Sequence, residues 1–280
     1  MAVSTQADAA PDHALTRLLR LGRPAIMGIL NVTPDSFSDG GRFVDTAVAA
    51  AHAERMVREG ADVLDIGGES TRPYGSVPVT AAEEWARVAP VLAQAVRLGV
   101  PVSIDTMKAE VAARALDAGA VIVNDVWGLQ RDDAMARVAK EHDAGLIVMH
   151  NRETADPAID ILAEVETFLA RSVALAEQAG VARARIVVDP GIGFGKTPEQ
   201  SLRLIARLER LRVFGLPILM GLSRKRFIAS VSPSQPNERL GGSIAGNIAA
   251  ARRGAAILRV HDVAETVQAL LIHDAIERAR

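Results

Sequence analysis

Asp65, Asp105, Asn124 and Asp189 each end a short apolar run, Asn31 ends another, and Arg259 and His261 alternate at the close of a further one. Carboxylates and amides can accept or donate paired hydrogen bonds to a polar ring edge, while an arginine and a histidine on one face of a strand can hold an anion. A single Asp or Asn at a strand-to-helix junction is ordinarily a helix N-cap, and Asp105 before Thr106-Met107-Lys108 fits that role. Capping does not account for many polar junctions together, nor for the run Asp65-Ile66-Gly67-Gly68-Glu69-Ser70-Thr71-Arg72-Pro73.

Two further runs carry chemistry. Asp189-Pro190-Gly191-Ile192-Gly193-Phe194-Gly195-Lys196-Thr197 has Pro190 where a phosphate-binding GxxxxGK[ST] loop needs glycine, so it is not one. Its glycines let backbone lie close to a flat ligand above Asp189, with Phe194 either a wall of that site or a core residue. Ser223-Arg224-Lys225-Arg226 places positive charge at the start of a helix, where the macrodipole disfavours it unless an anion or a carbonyl is near. His150, after Met149, reads as a core residue and cap. Zinc is not expected, because no His or carboxylate set has ligand spacing; a hard, oxygen-liganded Mg²⁺ needs fewer protein groups and stays open.

The elements that must position these residues follow a regular plan. Apolar runs at 25–31, 63–66, 102–104, 121–123, 145–149, 186–188, 217–220 and 255–260 predict eight strands. Each is followed by a helical pattern, such as 45–59, a capping-box start at Thr80-Ala81-Ala82-Glu83 and a similar start at Asp262-Val263-Ala264-Glu265. Eight strand-helix units without a linker predict a single-domain α/β fold, a (β/α)8 TIM barrel over 25–280, with the polar strand ends around one mouth. A doubly wound open sheet is the alternative. Residues 1–24 read as a flexible N-terminal extension, without a signal-peptide core.

Composition narrows the class. Lys and Arg total 32 against 34 Asp and Glu, a formal charge of -2, so no global field favours nucleic acid or an anionic membrane. The absence of cysteine removes disulfides, a thiolate nucleophile and cysteine-ligated metals. With no uncharged apolar stretch of about 18 residues, a membrane span is not expected and the cytoplasm is the default location.

The combination of Asn31-Val32-Thr33-Pro34-Asp35-Ser36-Phe37-Ser38-Asp39-Gly40-Gly41, residues 65–73, Ser103-Ile104-Asp105-Thr106, Asn124-Asp125-Val126, residues 189–195, Ser223-Arg224-Lys225 and Arg259-Val260-His261-Asp262 resembles the bacterial dihydropteroate synthase family, in the family's order, over 25–275. The resemblance implies a transferase of folate biosynthesis and a target of sulfonamides. It would condense 6-hydroxymethyl-7,8-dihydropterin diphosphate with 4-aminobenzoate, releasing pyrophosphate by a dissociative route. It further implies that Asp105, Asn124, Met149, Asp189, Gly193, Phe194 and Lys225 bind the pterin, and that Asn31, Thr71, Arg72, Arg259 and His261 bind the diphosphate, with Asn31 also at Mg²⁺. Phe37, Pro73, Phe194 and Ser223 would bind 4-aminobenzoate; Asp39, Arg72 and Lys225 would be catalytic, and a homodimer is expected. Two positions depart from the family pattern: Tyr74 lengthens the second loop, and Arg226 replaces a common serine. A corrinoid-type pterin methyltransferase shares the barrel but has no use for the Arg259/His261 pair or the 223–225 run. A non-catalytic pterin binder would be expected to have lost such loop and anion residues.

Overall fold

The computed structural model describes residues 13–32, 42–70 and 78–279. Eight parallel strands close into a barrel in sequence order: β1 (Ala25–Asn31), β2 (Val63–Gly67), β3 (Val102–Asp105), β4 (Ile122–Asp125), β5 (Gly145–Met149), β6 (Ile186–Asp189), β7 (Ile218–Gly221) and β8 (Ala255–Val260). Ala25 pairs with Ile257 and Met27 with Arg259, which closes the sheet and removes the open-sheet alternative. The helices are α1 (Ala14–Leu18), α2 (Arg42–Arg58), α3 (Ala81–Ala95), α4 (Ala109–Asp117), α5 (Met135–Glu141), α6 (Ile161–Gln178), α7 (Pro198–Ala206), α8 (Arg226–Val231), α9 (Leu240–Arg252) and α10 (Val263–Arg278). None among the described residues is long and apolar enough to cross a membrane.

Side-chain alternation along each strand sorts residues between two cores. Ile26, Leu64, Ile104, Val123, Val148, Val188, Met220 and Leu258 face outward, in the layer under the helices. Met27, Val63, Ile122, Ile147, Val187, Leu219 and Ile257 fill the barrel's lower interior. One step of two residues further along, the inward positions become Asp65, Asn124, Met149, Asp189 and Arg259. The polar strand endings thus form a layer lying directly on an apolar one, at the end where barrel active sites lie.

Of the extension expected over 1–24, residues 13–24 are described and carry α1 against the barrel. His13 caps α1 by accepting the Leu15 N–H at 3.1 Å, and Leu15 and Leu18 pack beneath the strands as part of the lower interior core. The reason is geometric: the barrel's lower end carries apolar side chains, and α1 covers them. Leu15 is fully buried, so Leu15→Ala is expected to destabilise the protein by about 2–5 kcal/mol in urea unfolding. A change below about 0.5 kcal/mol would show that α1 is not a seal.

Helix starts agree with sequence unevenly. Thr80 and Glu83 form the expected reciprocal cap, whereas α2 begins before Asp45. At α10, Asp262 makes no side-chain cap; its carboxylate is taken by Arg224. A charge-assisted pair has outcompeted a neutral N–H for the same oxygens.

Candidate active site

Arg259 is the hub of the polar layer. Its Nε donates to Asp65 Oδ2 at 2.6 Å and its Nη2 to Asp105 Oδ2 at 2.6 Å, while Asn124 Nδ2 donates to the same Asp65 oxygen at 3.0 Å. Burial works against the guanidinium's charge, but Asp65 and then Asp105 outweigh it and hold the pKa of Arg259 above its ordinary value. Burial pushes Asp105 up to about 7, against the pull of Arg259. Asp65 Oδ1, Asp105 Oδ1 and Ser103 Oγ are buried without a partner among the described residues. Unpaired buried acceptors are costly, which makes this floor selective for a ligand that brings donors. Asp105 is therefore no helix cap; the residue preceding α4 is Lys108.

Asp189, Lys225 and the glycine-rich turn form the adjoining wall. Asp189 Oδ1 accepts the Gly191 N–H at 2.7 Å, and burial raises the Asp189 pKa despite the nearby Lys225. Lys225 Nζ donates to the Ile192 carbonyl and lies 4.8 Å from the Phe194 ring centroid, a cation–π contact. Burial lowers the Lys225 pKa to about 8, opposed by Asp189. Phe194 is half-buried with this cation over its face, so it lines the mouth rather than the core. Met149, paired with Asp189 in the sheet, is buried beneath. The turn requires glycine: Gly191, Gly193 and Gly195 all have positive φ, and a Cβ on Gly191 would lie 1.9 Å from the His150 carbonyl oxygen.

Loops seven and eight meet beside this wall. His261 Nδ1 lies 3.0 Å from Ser223 Oγ, so the expected 4-aminobenzoate and diphosphate residues are partners of one another. Arg224 adopts positive φ, with its N–H on Ser243 Oγ at 2.9 Å and its carbonyl on Arg239 Nη1 at 2.9 Å. That anchorage to the start of α9 fixes the turn from which Lys225 reaches Ile192. Asn31 sits half-exposed at the end of β1, opposite Gly67.

Asp105, Asn124, Met149, Asp189, Gly193, Phe194, Ser223, Lys225, Arg259 and His261 thus gather at the strands' C-terminal ends and the loops that follow. Arg259 is bonded to the Asp65 and Asp105 carboxylates. Phe37, Asp39, Thr71, Arg72, Pro73 and Tyr74 lie outside the described residues. Reasoning from sequence missed Lys196, and it missed Lys108, whose ammonium bridges buried Glu69 and Glu84, the latter at 2.6 Å. Glu84 directly follows a capping-box glutamate and looks like helix surface; only its packing against Gly68 reveals otherwise. His150 is core as expected, but it caps nothing, because Asp160 caps α6.

Residues 27–261 match the family described as pterin binding enzyme. The dihydropteroate synthase of Bacillus subtilis is 45% identical over 252 residues, covering 90% of this chain and 88% of its own. The chain belongs to the dihydropteroate synthase family. A Xanthomonas albilineans dihydropteroate synthase solved with 4-aminobenzoic acid superposes with a TM-score of 0.87 at 45% identity, over 91% of this chain and 93% of that one. The same bacterium's enzyme in complex with 7,8-dihydropteroate gives 0.84 at 43% identity, over 91% and 94%. As a dihydropteroate synthase family member, the chain places its acceptor-lined floor and its lysine wall on one barrel mouth.

Proposed function

We propose that the protein joins 6-hydroxymethyl-7,8-dihydropterin diphosphate to 4-aminobenzoate, giving 7,8-dihydropteroate and pyrophosphate. The observation that carries this reading is the juxtaposition, in one mouth, of unpaired buried acceptors with a guanidinium and a lysine. Asp189 and Asp105 accept from the pterin's amine and ring N–H, Asn124 both donates and accepts, and Lys225 donates to the ring carbonyl and N5. Gly193, Phe194 and Met149 bound the ring. Arg259, whose Nη1 makes no bond among the described residues, and His261 receive the diphosphate, joined by Thr71 and Arg72. The pterin methylene C–O bond breaks with its electron pair leaving on pyrophosphate. The 4-aminobenzoate nitrogen then bonds to that carbon and sheds a proton. Neighbouring carboxylates stabilise the intervening cation, so no protein nucleophile is needed. Asp39, Phe37 and Pro73 complete the 4-aminobenzoate side with Ser223.

Asn31 offers one neutral carboxamide oxygen at the mouth. A hard cation needs only one or two protein oxygens when phosphate and water complete its shell, so this donor set fits Mg²⁺ arriving with the diphosphate. When bound, Mg²⁺ would neutralise charge on the leaving pyrophosphate. We place the enzyme in the cytoplasm as a homodimer. Leu240 on α9 with Leu271, Ile272 and Ile276 on α10 are exposed apolar side chains suited to covering by a second copy, and sedimentation at micromolar concentration should show one species of twice the chain mass.

A coupled pyrophosphate assay tests the reaction: release should require both substrates and Mg²⁺, and EDTA should stop it. Pterin binding without turnover would remove the enzyme reading, and methyl transfer from a reduced folate would replace it. The pH profile has a defined sign. Asp105 must be ionised to accept, and Lys225 must be protonated to donate. The kcat/KM for the pterin diphosphate should therefore rise as pH passes about 7 and fall as it passes about 8. Lys225→Arg should move the alkaline fall to higher pH; a wild-type profile flat above about pH 8 would remove Lys225 from this role.

A further inference from the structure

Lys196 is buried, and its Nζ donates to the Gly191 carbonyl at 2.7 Å and the Phe194 carbonyl at 2.9 Å and lies 2.7 Å from His150 Nδ1. The His150 carbonyl is a fourth, longer contact at 3.4 Å. No carboxylate lies within ion-pairing distance among the described residues. A buried amine without a counter-ion is costly to keep, and packing alone could be supplied by an apolar chain of the same length. Every bond that Lys196 makes instead goes to the glycine turn or to His150, the residue at the end of β5 against which that turn is pressed. Gly195 has the same close approach, since a Cβ there would lie 2.4 Å from the Arg152 carbonyl oxygen.

The turn's carbonyls are divided between two lysines. Those of Gly191 and Phe194 turn inward to Lys196, and that of Ile192 turns to Lys225 at the mouth. The Gly191 N–H turns to Asp189, and the Phe194 N–H returns to the Gly191 carbonyl at 3.1 Å. One buried amine therefore holds the segment that orients the Asp189 carboxylate, sets the Phe194 wall and receives Lys225.

Protonation is consistent with this arrangement. Burial keeps the His150 imidazole neutral, and burial pulls the Lys196 pKa well below its ordinary value. Lys196 Nζ donates to both carbonyls, and the direction of its contact with His150 Nδ1 follows from the imidazole tautomer. His150 Nε2 is buried without a hydrogen-bond partner among the described residues.

We propose that Lys196 is a positioning residue of the ring pocket, holding the 191–194 turn in its binding geometry before ligand arrives. The proposal rests on the pterin reading above. Lys196→Met keeps the stem and removes the donors, whereas Lys196→Gln keeps donors. Calorimetry with 6-hydroxymethylpterin should show Lys196→Met binding roughly tenfold or more weakly than the wild type, and Lys196→Gln in between. The KM for 4-aminobenzoate should move by less than about threefold. Equal pterin affinity in Lys196→Met, or an equal loss in the 4-aminobenzoate KM, would overturn it. Should Lys196→Met not fold, hydrogen exchange on the unliganded wild type decides: the Phe194 amide should be protected, and exchange as fast as in an open loop would overturn the proposal. A wild type that does not bind 6-hydroxymethylpterin would overturn the pterin reading itself, and this proposal with it.

Discussion

Replacing Arg259 by methionine is expected to abolish turnover and to cost about 3–5 kcal/mol of stability, because it strands two buried carboxylates that share one cation. Asp65 is fully buried and the Asp105 side chain is 7% exposed, so water cannot substitute for the guanidinium. The loss should depend on pH with a definite sign. Asp105 already titrates near 7 with Arg259 lowering it, and removing that charge raises it further. A carboxyl whose folded pKa lies above its unfolded value contributes stability at low pH that is lost as pH rises. Arg259→Met should therefore be most stable near pH 4 and lose stability progressively towards neutrality, in urea melts at stepped pH. Asp105→Asn in the same chain should restore part of the stability at pH 7 without restoring turnover. A variant whose stability deficit is the same at pH 4 and pH 7 would show that Arg259 does not offset the Asp105 charge.

Asp189→Asn should separate binding from folding. The asparagine Oδ1 can still accept the Gly191 N–H, but its amide turns donors towards ligand donors. Binding of 6-hydroxymethylpterin is expected to weaken at least about a hundredfold, since a site built for a hydrogen-bonding edge discriminates strongly when pairing fails. Stability should move the other way. Burial raises the Asp189 pKa, so the charged form is disfavoured in the folded state at neutral pH, and a neutral isostere removes that burden. The Tm should be equal or higher. Calorimetry and a thermal melt on the same sample check both; unchanged affinity would remove Asp189 from the pocket.

The two substitutions also divide what the Arg259 and Asp189 positions do. Asp189 is held locally, by the N–H of Gly191 in its own turn. Arg259 is held by residues 194 and 154 positions away along the chain. The first kind of contact can be anticipated from a motif, the second only from closure of the sheet.

Eight strands, their order and the polar character of one end were readable in the chain. Each depends on alternation and turn residues within a few positions, and burial on both strand faces leaves a continuous apolar signature. The Thr80 cap and the need for glycine at 191, 193 and 195 are equally local. Local sequence is ambiguous where one residue has two competing partners. Asp262 fits a cap until Arg224 is brought beside it, and Glu84, one residue past the Glu83 cap, finds its partner only in Lys108. In the leader, Leu15 and Leu18 have no strand partners in sequence; only the barrel's lower end gives them something to cover. Lys196 gave no signal at all, since a lysine after a glycine run is ordinarily solvated. Its burial follows from three glycines drawing backbone onto the end of β5. By itself, then, the sequence determined a repeating strand-helix chain with one polar rim and a family of chemistry. Closure of the sheet decided which rim residues share charge, because the barrel joins the first strand to the last and brings distant carboxylates within 2.6 Å of one guanidinium.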